Sequence, residues 1–170
     1  YRENFKVKDK IVLLETAHGE KIGGNPYALF LEMEKSAGFS DFKYIFVLNN
    51  QDPFYKKYLS HKKNIKIVQR NSCAYIKYLA VSKYLINDTT FHFYFSKREG
   101  QVYINTWHGT PIKTIGKDVK GTIGQQKNAI RNFLHSDYLV HPNDFTSKII
   151  NSSHELLERY KGKNIVTGYP

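Results

Sequence analysis

The sequence contains few features that could cross-link the chain or carry it through a membrane. Among its 170 residues there is one cysteine, Cys73, which excludes an internal disulfide bond and is consistent with a reducing compartment. Cys73 falls in a predicted helix, where we expect a buried, unreactive thiol. No apolar run approaches the roughly 20 residues that span a bilayer. The first ten residues are charged and lack the apolar segment of a signal peptide, so nothing argues for secretion.

Acidic residues are scarce in this chain. It has 26 Lys and Arg residues against 15 Asp and Glu residues, which gives a formal net charge of +11. Hydrophobic residues make up 41% of the chain and aromatic residues 15%, which is enough to bury a core and excludes intrinsic disorder. The chain starts without a methionine and stops at Thr167-Gly168-Tyr169-Pro170, which follow an apolar pair typical of a strand, Ile165-Val166. We therefore expect residues 1–170 to form a single lobe of a longer protein.

Between Pro53 and Asn87 there is no acidic residue at all. Eight cations fall in this basic stretch: Lys56, Lys57, Lys62, Lys63, Lys66, Arg70, Lys77 and Lys83. Five tyrosines are interleaved with them, at positions 55, 58, 75, 78 and 84. This mixture predicts an anionic partner, such as a membrane headgroup region, a polyphosphate chain or nucleic acid. For any single lysine, a solvated surface position is the simpler interpretation.

Short apolar runs alternate with longer amphipathic segments along the chain. The runs predict strands at residues 10–15, 43–48, 65–69, 84–86, 102–107, 138–141 and 164–167, and the amphipathic segments predict helices at 25–35, 72–83, 124–134 and 143–160. The last helix is expected to break near residues 151–153. Asn25, Ser72 and Asn143 are candidate helix caps. The pattern predicts a Rossmann-like α/β fold, a mostly parallel sheet with helices on both faces and ligands at the carboxyl ends of its strands.

The segment from Val102 to Asp118 carries the most chemical information. A strand is predicted to end at Trp107, so that His108 emerges at the carboxyl edge of the sheet, where its imidazole could act as a base. Gly109 lets a substrate approach the backbone, and Thr110, Lys113 and Lys117 could hold phosphate oxygens. From the residues alone, a single histidine after a strand is more often structural than catalytic.

The other histidines do not form a metal-ligand pattern with cysteine or carboxylates, and no cofactor motif is present. We expect no metal and no cofactor. We expect the other six histidines to be structural or exposed, an interpretation that fits His18 least well because it lies in a glycine-rich loop, residues 17–24, after the first strand. This loop could hold a phosphate or shape a binding cleft. A run of aromatic residues at 91–95 predicts an edge strand or a loop packed on the core, or else a stacking or membrane-contact surface.

The central motif also resembles a known signature. The run Trp107-His108-Gly109-Thr110-Pro111-Ile112-Lys113, with Gly116 after it, resembles the Trp-His-Gly-Thr-Pro-Leu-Lys-x-x-Gly motif of the CDP-glycerol glycerophosphotransferase family, the teichoic acid primases and polymerases. Ile112 replaces the usual leucine. Four further segments resemble family motifs: Glu15 with Asn25-Pro26, residues 80–88, residues 136–143 and residues 167–170. The resemblance spans nearly the whole chain.

This resemblance implies one lobe of a two-lobed GT-B type transferase, the lobe that receives the acceptor. His108 would be the general base that deprotonates an acceptor hydroxyl, which then attacks the β-phosphorus of CDP-glycerol and releases CMP. The implied substrate contacts are Glu15, Asn25, Gly109, Thr110, Lys113, Lys117 and Asn143. Glu15 would orient His108 or bind acceptor hydroxyls, although a surface or capping carboxylate is an equally good interpretation. The nucleotide-binding groups would lie beyond Pro170, which would leave this fragment inactive alone.

The implied partners are CDP-glycerol, a polyol-phosphate or lipid-linked acceptor and an anionic membrane surface, which places the protein peripherally on the cytoplasmic face of a bacterial membrane. Two alternatives remain open. The same fold could transfer ribitol phosphate or a sugar, or the chain could be a non-catalytic basic module for nucleic acid or lipid. A nucleic-acid module does not need the motif at 107–116, so we expect no nucleic acid partner.

Overall fold

The computed structural model describes residues 5–50, 53–119 and 123–170. Its centre is a seven-stranded, all-parallel sheet with the strand order β3-β2-β1-β4-β5-β6-β7. The strands are β1 (Lys8–Glu15), β2 (Lys43–Val47), β3 (Ile65–Val68), β4 (Ser82–Asn87), β5 (Val102–Asn105), β6 (Tyr138–His141) and β7 (Lys163–Val166). All seven predicted strands are confirmed, each boundary within about two residues of its predicted position. The order is that of a Rossmann-like fold, as predicted.

Within the described residues, four α-helices connect the strands: α1 (Gly24–Lys35), α2 (Cys73–Val81), α3 (Ile123–His135) and α4 (Asp144–Ser153). A short π-helical turn covers Tyr55–Leu59, and 3-10 turns cover Ala17–Gly19, Ala37–Phe39 and Gly116–Asp118. The break expected near residues 151–153 is confirmed, because α4 ends at Ser153, but the helical continuation to residue 160 is wrong, because turns follow. Two side chains near the end bond to carbonyls of the preceding turn, Asn151 to Ser147 and Ser152 to Ile149, and Glu155 adopts a left-handed φ of 53°.

Two of the three predicted helix caps are confirmed. Ser72 Oγ accepts the Tyr75 N–H at 3.1 Å, and Asn143 Oδ1 accepts the Thr146 N–H at 2.8 Å. The cap at Asn25 is wrong. Helix α1 begins one residue earlier, so Asn25 lies inside its first turn, and its side chain donates to backbone carbonyls of the loop after β5.

Alternate residues of each central strand pack on opposite faces of the sheet. On one face, Leu14 of β1 packs with Phe30 of α1 and with the π-helical turn. On the other face, Leu13 packs with Tyr75 of α2, and further along the sheet Leu139 of β6 packs with α3 and α4. The central strands are therefore buried on both sides, which explains their near-continuous apolar sequences.

Two sequence expectations about the core are settled by burial. Cys73 is exposed rather than buried, because it occupies the first turn of α2, which the capping residue Ser72 starts at the surface. The aromatic run at 91–95 forms a loop packed on the core, with Phe91 and Phe95 buried and Phe93 72% exposed. The edge-strand alternative is wrong, and the loop alternative is confirmed.

Candidate functional site

The candidate site lies at the topological switch point of the sheet, between β1 and β4. Strands β1 and β4 are neighbours, but β1 leads outward to β2 while β4 leads to β5 on the other side. Such switch points open a crevice at the carboxyl ends of the strands. The loops after β1, β4, β5, β6 and β7 all emerge at this edge. Most of the residues that the motifs singled out follow these strands, so the topology gathers segments that are far apart in sequence.

The loop after β5 presents His108 through a constrained turn. Trp107 adopts a left-handed φ of 50°, which is unusual for a bulky residue. Its N–H donates to Asn105 Oδ1 at 2.9 Å, and its ring packs on Phe133, with the ring centroids 5.6 Å apart. Asn25 Nδ2 donates to the Trp107 carbonyl at 3.3 Å. Contacts from the end of β5, from Phe133 and from α1 therefore all hold Trp107 in place. They fix the turn that exposes the His108 side chain.

The His108 ring is oriented by the residue that follows β4. Its Nδ1 lies 2.7 Å from the backbone carbonyl oxygen of Asp88. A carbonyl can only accept a hydrogen bond, so Nδ1 carries the proton and Nε2 of the neutral ring is unprotonated. The ring centroid lies 4.1 Å from that of Trp107, which limits rotation of the imidazole. His108 is thus a surface histidine with a basic nitrogen available to a ligand.

Asp88 was missed as a site residue by the sequence reasoning, although it ends one of the segments that resemble family motifs. Its carboxylate accepts the Ala17 N–H of the glycine-rich loop at 2.9 Å. A Cβ at Gly24 would lie 3.2 Å from Asp88 Oδ2, and Gly24 has a φ of +59°, so glycine is required there. Burial raises the pKa of Asp88. Because a protein carboxylate holds this loop amide, the prediction of a phosphate cradle gains no support.

Glu15 is the last residue of β1 and pairs with residues that follow β3 and lie in α2. Its side chain is fully buried, accepting from Arg70 Nε at 3.0 Å and from the Tyr75 hydroxyl at 2.6 Å. Burial raises the pKa of Glu15, while the bonds from Tyr75 and Arg70 oppose that rise. The surface-carboxylate interpretation is therefore wrong. The Asp88 carbonyl accepts the hydrogen bond that orients His108, and a role of Glu15 toward the acceptor stays a prediction. The ion pair anchors Arg70, which follows β3, to the base of the cleft.

Thr110 and Asn143 are brought together as a second cluster of the site. Asn143 Nδ2 donates to Thr110 Oγ1 at 3.1 Å, and the Thr110 N–H donates to the Tyr169 hydroxyl at 2.7 Å. Tyr169 was not singled out from the sequence, and it joins the segment after β7 to the loop after β5. Gly109 lies beside it with a φ of +139°, and a Cβ there would lie 3.9 Å from the same hydroxyl. Because glycine has no side chain, the backbone at Gly109 stays accessible to a ligand.

Lys113 and Lys117 lie in the loop that leaves the site toward α3. Both side chains are exposed, Lys113 in irregular backbone and Lys117 in the 3-10 turn Gly116–Asp118. They are free to reach an anionic ligand, as the sequence predicts, and their role in phosphate binding stays a prediction.

The basic stretch is partly neutralised by acidic residues from other segments. Arg70 pairs with Glu15, Lys62 with Glu34, and Lys83 lies 3.8 Å from Asp9. Lys57, Lys66 and Lys77 lie over the aromatic rings of Tyr58, Tyr78 and Phe5. The side chain of Lys56 lies outside the described residues. Fewer cations are therefore available to an anionic partner than the sequence count of eight indicates.

An apolar groove of about 700 Å³ borders the site. It lies between α1 and the strands β5 to β7, and Asn25 and Thr106 belong to both the groove and the site. Across residues 5–50, 53–119 and 123–170, no cluster of three or more potential metal-ligating side chains is found. In the same ranges, none of the helices combines the length and the apolar character needed to cross a bilayer.

The parallel sheet and the cleft at its switch point define a Rossmann-like α/β unit whose ligand site lies at the carboxyl edge. The whole chain, residues 1–170, matches the family described as CDP-Glycerol:Poly(glycerophosphate) glycerophosphotransferase. The chain belongs to this family, which confirms the resemblance seen in its motifs.

Relatives of known name are teichoic acid enzymes. The chain is 28% identical over 171 residues to the teichoic acid poly(glycerol phosphate) polymerase of Bacillus spizizenii, a match covering 95% of this chain and 41% of that protein. It is 25% identical over 178 residues to the teichoic acid glycerol-phosphate transferase of Staphylococcus aureus, covering 98% of this chain and 43% of that protein. The chain thus spans less than half the length of these relatives.

Solved structures of the wall teichoic acid polymerase TagF share the fold. One of them superimposes with a TM-score of 0.81 at 27% identity, covering 96% of this chain and 40% of that chain. A histidine-to-asparagine variant of TagF soaked with CDPG for 30 minutes gives the same score and the same coverage. The likeness is therefore to one part of a larger protein.

Proposed function

We propose that this chain is the acceptor-binding lobe of a transferase that moves glycerol phosphate from CDP-glycerol to a hydroxyl of a teichoic-acid-like or capsular polymer. The observation that carries the proposal is the orientation of His108. Its Nδ1 donates to the Asp88 carbonyl, so its unprotonated Nε2 is the nitrogen available at the switch-point cleft. Membership of the family and the teichoic acid relatives supply the donor and the polymer.

In this reaction His108 acts as a general base. Nε2 takes the proton from the acceptor hydroxyl as its oxygen forms a bond to the β-phosphorus of CDP-glycerol, and the bond from that phosphorus to the oxygen of CMP breaks. The imidazole then carries both protons. The negative charge of Asp88, which interacts electrostatically with His108, stabilises this cation. The Asp88 carbonyl keeps its bond to Nδ1 throughout, so the ring does not need to turn.

The remaining side chains of the site bind and position the substrates. Lys113 and Lys117 are the cations proposed for phosphate oxygens, since both are exposed on the loop beside His108. Thr110, Asn143 and Gly109 form the wall where a polyol chain would lie, and Asn25 holds the His108 turn. Glu15 acts at a distance, by anchoring Arg70.

The chain is proposed to be incomplete for catalysis. It corresponds to about 40% of the TagF chain, and we place the groups that bind the cytidine nucleotide in the part it does not cover. The 170-residue chain alone should therefore release no CMP. An anionic membrane surface and a lipid-linked acceptor are proposed as partners, with the protein peripheral on the cytoplasmic face; the basic stretch supports this through the cations that no acid neutralises.

The experiment is CMP release from CDP-glycerol by the complete protein with a lipid-linked glycerol phosphate acceptor. We expect His108→Ala to abolish turnover in a folded protein. His61→Ala is the matched control, because it removes another exposed imidazole, at the turn before β3, and should leave turnover unchanged. Full activity of His108→Ala would exclude this base. Turnover with CDP-ribitol or a nucleotide sugar instead would keep the fold and change the donor.

A further inference from the structure

A second histidine reaches the same cleft from the loop after β1. The His18 side chain is 46% exposed, with Nδ1 3.4 Å from Thr89 Oγ1 and 4.0 Å from Glu15 Oε1. Thr89 directly follows Asp88, whose carbonyl oxygen lies 2.7 Å from His108 Nδ1. The two imidazoles, from the loops after β1 and β5, therefore contact adjacent residues of the loop after β4 and lie at the same cleft. The sequence motifs assign no role to His18, and the proposed mechanism does not use it.

The backbone at His18 is strained in the way that functional loops often are. Ala17 and His18 have left-handed φ angles of 46° and 56°, and Trp107, which precedes the other histidine, has a φ of 50°. Three of the five non-glycine residues with positive φ in the described ranges therefore flank this cleft. Such conformations are unfavourable for residues with a Cβ; they persist only where the surrounding structure holds them, and they are frequent in ligand-binding loops.

The surroundings of His18 favour a neutral imidazole. Burial lowers the pKa of His18, and Arg70 lowers it further, while Glu20 opposes them. The donor nitrogen of the ring bonds the backbone of Thr90, and the acceptor nitrogen of a neutral ring suits a hydroxyl donor better than a phosphate. A glycerol phosphate unit carries a second hydroxyl next to the one that reacts.

We propose that His18 is a substrate-binding residue of the acceptor site, where its imidazole hydrogen-bonds the hydroxyl adjacent to the one that His108 deprotonates. This inference rests on the proposed function. His18 would then select a glycerol phosphate terminus over a terminus that lacks the middle hydroxyl. Only the glycerol phosphate terminus has a hydroxyl for each of the two imidazoles, His18 and His108.

The test compares two acceptors in the complete protein, one ending in glycerol phosphate and one ending in propane-1,3-diol phosphate. With His18→Gly, kcat/KM for the glycerol phosphate acceptor should fall about tenfold, as expected for one lost hydrogen bond, through a higher acceptor KM. The value for the propanediol acceptor should stay unchanged, so the preference disappears. His18→Asn, which tolerates the left-handed backbone and keeps hydrogen-bonding groups, should restore part of it.

Stability separates this role from a structural one. Glycine relieves the strained φ, so His18→Gly should raise the urea midpoint of the 170-residue chain while it weakens acceptor recognition. Glu155→Gly is the control, since Glu155 has a similar φ of 53° in an exposed turn after α4, and it should leave the acceptor preference intact. An unchanged acceptor preference in His18→Gly would overturn the role of His18 but not the proposed function. The same holds for an equal loss of kcat/KM with both acceptors together with a lower urea midpoint. A complete protein that releases no CMP with either acceptor would overturn the proposed function as well.

Discussion

The Nδ1 atom of His108 lies 2.7 Å from the backbone carbonyl oxygen of Asp88. This bond joins the ends of two neighbouring strands, β4 and β5, and it decides which imidazole nitrogen can act as a base. The same residue, Asp88, also holds the loop after β1 through its carboxylate and the Ala17 N–H. One residue at the switch point therefore positions both loops that bring a histidine to the cleft.

The first prediction concerns the tautomer of His108. Because the Asp88 carbonyl accepts its proton, the neutral ring should carry hydrogen on Nδ1 and none on Nε2. Long-range ¹H–¹⁵N correlation spectra of the 170-residue chain above the titration range of the ring measure this directly. His108→Gln identifies the signals. A ring protonated on Nε2 would contradict the proposed base.

The strands could be predicted from the sequence because their burial on two faces leaves a nearly continuous apolar run. In β2, for example, four residues in succession are buried, from Tyr44 to Val47, and no helical period fits them. The position of His108 followed from the end of β5 for the same reason. The alternation of strands and helices predicts a parallel sheet but does not fix the order of its strands, because doubly-wound sheets occur in more than one order.

Side-chain partners that come from distant segments could not be predicted. Asn25 next to a proline has the local signature of a cap, but a carbonyl 82 residues away takes its side chain. Glu15 carries no local sign of burial, because Arg70 and Tyr75 reach it from β3 and α2. Asp88 follows a strand like many loop carboxylates, and only the assembled edge shows what it holds. These contacts depend on the tertiary fold, which local sequence patterns do not encode.

The buried ion pair gives a prediction about stability. Glu15→Ala should lower the free energy of unfolding by about 3 kcal/mol, because it leaves the Arg70 guanidinium and the Tyr75 hydroxyl without their shared acceptor. Urea unfolding followed by circular dichroism measures this change. Glu32→Ala breaks a pair with Lys35 whose side chains are both about 70% exposed, and it should change little. Equal losses of unfolding free energy in the two variants would contradict the expectation that the buried pair stabilises the fold more than the exposed pair.

The raised pKa of Asp88 gives a prediction about pH. As the pH falls, the folded chain protonates Asp88 before the unfolded chain does, since burial raises its pKa above the ordinary value of 3.8. At pH values between the pKa of Asp88 in the unfolded chain and its higher pKa in the folded chain, the folded state binds more protons than the unfolded state. The contribution of Asp88 to the free energy of unfolding therefore increases as the pH falls. Asp88→Asn does not titrate. The unfolding free energy of the unsubstituted chain minus that of the variant should therefore grow from neutral pH to about pH 4 in urea titrations. A difference that stays constant or shrinks would contradict the shift.

The last prediction concerns the turn that carries the loop from the site toward α3. Gly116 has a φ of +59°, and a Cβ there would lie 2.2 Å from the Ser153 carbonyl oxygen at the end of α4. Gly116→Ala should lower the free energy of unfolding by about 3 kcal/mol, because left-handed strain and a backbone clash add together. Gly100→Ala is the matched control, with a φ of +80° and nothing within 4 Å of its Cβ, so it should cost only about 1 kcal/mol from strain. If both variants unfold at the same urea concentration, this turn does not pack against α4 as described. The position of Lys117 relative to His108 would then also be wrong.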